Sequence, residues 1–421
     1  MTAMPILATD GQRRLEALAR EILRTDEVLD EIARVEALYA RDPQGVTDTG
    51  SATIARAAHS IAVASVQYAL SEDPIDPVLL WSITAPHRFC GLDLPRSGYG
   101  IENPDNVYRQ ATLSGDHRYE IRGSIGPVSP AEIHFEARDA VPGTTVMDAE
   151  GGQQESTLRS DAIVTDAEGN FTVTIDSSPA NGSTNHLTIP AGRTSFLIVR
   201  DLLGDWETEL PSRLEIVRLG DHAGAHTQDA QQLAKRSAEI LRTIAPFWLD
   251  YFNQFSYGRR PRNSVSAPRI RPGNRGMSTG GHFMLADDEA LVITLDPLGA
   301  EHLGIQVADP WGVAYEYIHR TSSLNTTQAC PNADGTYTFV VARQDPGVYN
   351  WLDTQGHSAG LIAVRWQSVA DSRPDIAVRE SVVVPLQDLD RHLPDGAVRV
   401  SEVERELQLA SRAWQFHRRY S

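Results

Sequence analysis

Asp166-Ala167-Glu168-Gly169-Asn170-Phe171-Thr172-Val173-Thr174-Ile175-Asp176 is the stretch that decides the fold. Its first five residues read as a turn, because Asp and Asn bond their own backbone and Gly accepts a positive φ. Phe171, Val173 and Ile175 then recur at period two, which predicts a strand with one apolar face. The same alternation marks Arg118–Gly123 and Ile133–Glu136 upstream, and Ser195–Arg200 and Leu214–Leu219 downstream. Short strands parted by turn chemistry predict a β-sandwich or jelly roll.

Moving outward, a second set of strands is expected between residues 281 and 400, clearest at Ala290–Leu295, Thr336–Ala342 and Gly360–Trp366. Helical periodicity brackets the strands. Leu15, Leu18, Ile22, Leu29 and Ile32 fall near one helix face, and an alanine-rich helix follows over Ala52–Leu70. Residues 227–257 carry an apolar-aromatic face with Leu233, Ile240, Ile244, Phe247, Trp248, Tyr251 and Phe255. Residues 260–280, rich in Arg, Pro, Ser and Gly, read as a long loop or lid. Ser401 and Glu404 form a capping box for a last helix. The chain is thus expected to be mainly β with helical additions, an α+β protein. Its expected parts are a helical N-terminal segment (1–85), a first sandwich or jelly-roll lobe (86–222), a linking helix and loop (223–280), a second lobe (281–400) and a C-terminal helix (401–421). Two lobes of similar size suggest a distant duplication.

The 421 residues are too many for one ordinary core. Lys and Arg number 38 and Asp and Glu 56, a formal charge of -18 that repels phosphate backbones and anionic lipid. Neither nucleic acid nor a membrane surface is an expected partner. Two cysteines, Cys90 and Cys330, make no disulfide framework. The start has no apolar signal-peptide core, and the longest apolar runs are strand-length, so a cytoplasmic protein is expected. No GxGxxG follows a strand, and there is no phosphate loop, HExxH or CxxC. Neither a cofactor nor a metal is expected. His222 and His226 would share a face only in a helix, and Gly224 opposes one.

Several polar motifs stand out. They are Asn103-Pro104-Asp105-Asn106-Val107-Tyr108-Arg109, Ser323-Leu324-Asn325, Asp334-Gly335-Thr336-Tyr337, Asp345-Pro346-Gly347-Val348-Tyr349-Asn350-Trp351-Leu352-Asp353-Thr354 with Gly356-His357, and Arg365-Trp366. Together they resemble a bacterial domain-of-unknown-function family, numbered twelve-fourteen, over roughly residues 100–410. The resemblance implies tandem β-sandwich or jelly-roll lobes and no settled reaction. Such proteins look common in bacteria that degrade apolar compounds, which implies a catabolic role.

Each motif has a structural and a functional reading. Tyr108 suits a general acid or an orienting hydroxyl, and Arg109 a carboxylate or enolate clamp; equally, the motif could be a hydrogen-bond hub between lobes. Asn350, Trp351, Asp353, His357 and Arg365 could edge a ligand cavity, or form a packed corner with Arg365 paired to Asp353. If Trp311–Arg320 is a strand, Trp311, Val313, Tyr315, Tyr317 and His319 share one face, a composition suited to a pocket for an apolar molecule. The sequence therefore leads to a cofactor-independent acid–base enzyme of lyase, isomerase or hydratase type. Its substrate would be an apolar aromatic, steroid or terpenoid. Tyr108, Arg109, Tyr315, Tyr317 and His319 are the catalytic candidates, and Trp311, Asn350, Trp351, Asp353, His357 and Arg365 the substrate-binding candidates. The alternative is a non-catalytic small-molecule or carbohydrate-binding or assembly protein. A homo-oligomer is compatible with either.

Overall fold

A computed structural model describes residues 6–89, 91–145, 147, 152–220, 229–271, 276–369 and 373–420. Cys90, His222 and His226 lie outside them. The periodic N-terminal stretch forms two helices, α1 (Asp10–Ile22) and α2 (Asp26–Arg41), before α3 (Asp48–Leu70). Hydroxyls start two of them: Thr9 accepts from the Gln12 N–H at 3.1 Å and Thr47 from that of Gly50 at 3.0 Å. The linking helix α4 (Ala230–Phe252) packs against α2 and α3. These helices share a core with Phe196 and Ile198. They therefore cover the outer face of a sheet in the first lobe. Among the described residues, no helix is long and apolar enough to cross a membrane.

The first lobe is a sandwich built on eight strands: Asn106–Ser114, Arg118–Ser124, Glu132–Arg138, Gln154–Arg159, Asn170–Asp176, His186–Thr188, Thr194–Leu202 and Arg213–Leu219. One sheet runs first-seventh-third-fourth and the other eighth-second-fifth-sixth. The Phe171, Val173 and Ile175 face packs inward on Leu113, Phe135, Leu197 and Val199.

The second lobe repeats this topology. Its strands are Met277–Met284, Glu289–Leu295, His302–Ala308, Ser323–Asn325, Tyr337–Ala342, Trp351–Asp353, Ala359–Gln367 and Val378–Pro385. They too order as first-seventh-third-fourth and eighth-second-fifth-sixth. In both lobes the fifth and sixth strands pair in parallel. The first-seventh-third-fourth sheet of each lobe also gains a short edge strand on its first strand, Leu80–Ser82 in one lobe and Ser264–Val265 in the other. The expected loop 260–280 is thus drawn into the second lobe through Ser264–Val265 and Arg269–Ile270, both paired with Met277–Met284.

The repetition reaches side chains. Before the fifth strand, the Asp166 N–H donates to Asn170 O at 2.9 Å, and the Asn332 N–H to Thr336 O at 2.8 Å. Gly169 and Gly335 sit at φ 81° and 83° in those turns. Before the sixth strand, Asn185 Oδ1 accepts from Val164 N at 2.8 Å while its Nδ2 donates to Val164 O at 2.7 Å. Asn350 treats Cys330 the same way, at 2.8 and 2.8 Å. The seventh residue of each seventh strand is Arg200 or Arg365. Its Nη1 donates to the fifth residue of the third strand, Glu136 or Gln306, at 2.6 Å in both lobes. The chain carries one supersecondary unit twice.

Residues 311–320 are not a strand. Asp309 Oδ1 accepts from the Trp311 and Val313 N–H groups at 3.0 and 2.9 Å, closing a turn. Pro310 has no N–H for a ladder. Gly312 sits at φ 80°, and a Cβ there would meet Phe252 Cζ at 2.2 Å. Beyond one bridge of Ala314 to Ala308 the segment is irregular. It threads between cores: Trp311 and Val313 join the helical core, Tyr315 the second-lobe core, and Tyr317 a third core with Trp206 and Phe416.

Candidate functional site

The motif strands bring several singled-out residues together between the lobes. Asp105 Oδ1 accepts from Trp206 Nε1 at 2.9 Å and from Asn325 Nδ2 at 3.0 Å, and its Oδ2 lies 3.0 Å from His302 Nε2. Asn325 Nδ2 also donates to Gly204 O at 3.0 Å. Gln306 Nε2 reaches Glu102 O at 2.6 Å, and Arg365 Nη2 reaches Ile101 O. Burial opposes the Asp105 charge, but His302, Arg419 and Arg412 outweigh it and hold the carboxyl below its ordinary range. Glu102, bonded to Arg96 at 3.1 Å, is pushed up by burial to about 7. His302 and Asp105 are both buried. Three motifs and the Trp206 indole thus meet in a packed polar joint.

The catalytic candidates divide among separate places. Tyr108 and Arg109 are neighbours in the strand Asn106–Ser114 and point to opposite faces. Tyr108 Oη accepts from Asn103 N and Asn106 Nδ2, each at 3.0 Å. Arg109 is buried against Asp201 at 2.9 Å and donates to Ser212 O at 2.7 Å. Tyr315 donates to Ala359 O at 2.8 Å, and its ring stacks on His357 with centroids 5.2 Å apart. Tyr317 is buried, 5.7 Å from the Phe416 ring. Burial raises the hydroxyls of Tyr315 and Tyr317 well above the usual tyrosine range. The His319 side chain is 65% exposed and lies 3.6 Å from Glu316 Oε1.

The substrate-binding candidates also separate. Trp311 stacks on Tyr39 at 4.5 Å, and its Nε1 bonds Thr53 Oγ1 at 3.1 Å. Trp351 Nε1 donates to Ala342 O at 3.0 Å. The expected Arg365–Asp353 pair does not form. Asp353 Oδ2 accepts from Arg320 at 2.8 Å, while Arg365 belongs to the other sheet and turns to Gln306.

The signature stretch does border an opening. Asp345 Oδ1 accepts from the Gly347 N–H at 2.9 Å, with Gly347 at φ 69°. Asp345 also holds Arg405 of the C-terminal helix (Glu402–His417) at 2.8 Å. Tyr349 N donates to Val398 O at 2.9 Å and Val400 N to Gly347 O at 3.0 Å, clasping residues 393–398 over the turn. Between them lies a cavity of about 260 Å³. Its walls mix apolar residues, including Pro331, Val348, Leu393 and Ala397, with polar ones, Cys330, Asn332, Thr338, Tyr349, Asn350 and Asp395. Burial raises the Cys330 thiol, so it stays protonated near neutrality and is a poor nucleophile. The Asn350 amide is occupied with the Cys330 backbone.

A smaller pocket of about 20 Å³ lies under the first lobe, where α1 and α3 meet residues 81–95. Glu16, Arg20, Gln67 and His87 line it among Ala19, Leu23, Val63, Trp81 and Leu94. Gln12 donates to Glu16 Oε1 at 2.6 Å. Burial nonetheless pushes that carboxyl up to about 7. His87 Nδ1 lies 2.8 Å from Ala85 O, and burial pushes the imidazole down to about 4. None of these four residues stood out in the sequence, because their partners lie far away along the chain. Among the described residues, no group of three or more His, Cys, Asp and Glu is placed to hold a metal ion.

No family model matches the chain, and no curated protein does. Among solved structures it is similar to an uncharacterized protein from Burkholderia cenocepacia. The TM-score is 0.70 at 24% identity, covering 88% of this chain and 99% of that one. A protein from Vibrio parahaemolyticus aligns over 67% of this chain and 90% of its own, with a TM-score of 0.39 at 10% identity. The second likeness is too low to carry an argument, and the first establishes a shared fold.

Proposed function

We propose that the chain binds a small, mostly apolar molecule in the second-lobe cavity. The observation that carries this reading is the 260 Å³ space, whose apolar residues Pro331, Val348, Leu393 and Ala397 stand among several polar ones. A cavity of roughly 150 Å³ already accepts benzene, and the polar residues here would orient a ring that carries a polar group. The space suits one ring or two fused rings and is short for a steroid. A protonated thiol and an occupied amide favour binding over turnover there. We also propose distant membership of the family that the motifs resemble, on the motifs themselves.

The test is thermal denaturation with phenol, toluene, cyclohexanone and indole, on the wild type and on Ala397→Trp, which adds a ring to the cavity wall. At least one compound is expected to raise the wild-type midpoint and to leave the variant's unchanged. No shift with any compound, or equal shifts in both proteins, would overturn the reading.

An acid–base enzyme acting on a small apolar compound is the second reading. One observation favours it: the pocket lined by Glu16 and His87 holds a carboxyl that burial pushes up to about 7, near the working pH of a general acid or base. Turnover lost in Glu16→Gln with an unchanged fold would support it, and unchanged turnover would remove it.

A further inference from the structure

The C-terminal helix (Glu402–His417) is held by one face and bare on the other. Arg405, Arg412 and Phe416 are its buried residues, and their spacing puts them on one side. Arg405 bonds Asp345 and the Val348 carbonyl, Arg412 donates to Tyr317 O at 2.7 Å, and Phe416 packs on Trp206. That face fastens the helix to both lobes and needs nothing from the opposite one. Val403, Leu407, Ala410 and Trp414 occupy the opposite face. They recur at steps of four, three and four, the a/d spacing by which two helices pack along a seam. All four are exposed, Val403 and Leu407 by 64% and Trp414 by 57%. Among the described residues, three of the nine large apolar side chains left exposed stand on this one helix. Scattered apolar side chains need no explanation, but a row at seam spacing on an anchored helix is a surface made for another helix.

Charge decides which helix fits. Glu402, Glu404 and Glu406 lie at the start of the element, and His417 and Arg418 at its end. Arg418 follows Glu404 by four turns along one edge of the row, and it lies over the Trp414 ring at 5.5 Å, so its charge is held at the seam. A parallel copy of the helix would bring acidic end to acidic end. An antiparallel copy sets each Arg418 against the other copy's Glu404, twice about a two-fold axis, and opposes the helix dipoles favourably. The axis then falls close to Ala410, whose small side chain lets the helices approach. Four such side chains bury on the order of 400 Å² per copy, about half of a standard interface, so the contact forms at micromolar concentration and is not permanent.

We infer that the exposed face of the C-terminal helix pairs with the same face of a second copy of the chain, antiparallel about a two-fold axis near Ala410. The inference depends on neither pocket. Sedimentation velocity of the full-length protein tests it, across roughly 1–300 µM, which brackets such an affinity. The wild type is expected to pass from monomer to dimer. Leu407→Glu is expected to stay monomeric throughout with an unchanged melting midpoint, since Leu407 does not support the fold. Air oxidation of Ala410→Cys and Val403→Cys reads the orientation, with the wild type as the control for Cys90 and Cys330. Ala410→Cys is expected to cross-link across the axis. Val403→Cys is not, because its two copies would lie about 20 Å apart. A wild type that stays monomeric would overturn the inference. So would a dimer left intact by folded Leu407→Glu, or a stronger cross-link in Val403→Cys than in Ala410→Cys.

Discussion

Asn350 shows what a conspicuous polar residue can be doing. Its amide brackets the Cys330 backbone, and Asn185 brackets Val164 with the same two bonds in the other lobe. A motif present twice, with the same contacts, is first a requirement of the fold. Asn350→Ala is expected to destabilise the protein by about 2 kcal/mol, since it leaves a backbone N–H and C=O unpaired. Asn185→Ala should cost about the same, and chemical denaturation of both measures it. Glu16 makes a different prediction. Its carboxyl is raised from 4.5 to about 7, so the folded protein holds this proton more tightly than the unfolded chain. Its contribution is full below pH 4.5 and is lost as pH rises to about 7, a change of about 3 kcal/mol. Glu16→Gln should remove that part of the slope, read from denaturation midpoints across the window. The sequence could show that Asn350 lies beside strands, but not that its amide is occupied. Nor could it place Glu16 and His87 around one pocket, because burial by remote residues creates it.

At the scale of elements, alternation and turn chemistry located the strands well. Phe171, Val173 and Ile175 face the core as their spacing implies. The 311–320 segment does not meet the strand condition its aromatics suggest, because Pro310 lacks a ladder N–H and Gly312 turns the chain at φ 80°. The aromatics serve three cores in turn and form no single face. Gly312→Ala is expected to cost about 3 kcal/mol, from a positive φ and a collision with Phe252. A thermal midpoint close to wild type would show that the turn can relax. The break between α1 and α2 was likewise hidden, because the apolar spacing continues across it.

The whole molecule is a duplicated sandwich whose halves are fastened at Asp105. Similar lobe sizes hinted at duplication, but the matching strand order and the paired Asn185–Asn350 and Arg200–Arg365 sites emerge only from the topology. The joint was legible only as motifs, since the Asp105–His302 contact spans 197 residues. Asp105→Ala would leave Trp206, Asn325 and His302 without their acceptor, at a cost of about 3 kcal/mol. The wild type is expected to unfold in one transition and the variant in two, as the lobes uncouple. Two-probe denaturation, by near-ultraviolet and far-ultraviolet dichroism, measures this.

The central claim is that the second-lobe cavity holds a small apolar molecule. Native mass spectrometry of wild-type protein and Ala397→Trp, both purified from the native host, tests it most directly. The account predicts a bound mass, released by solvent and identified as a one- or two-ring compound, on the wild type and absent from the variant. A mass retained equally by both proteins would contradict it, as would a wild type that is empty and stays empty when phenol, toluene, cyclohexanone and indole are added.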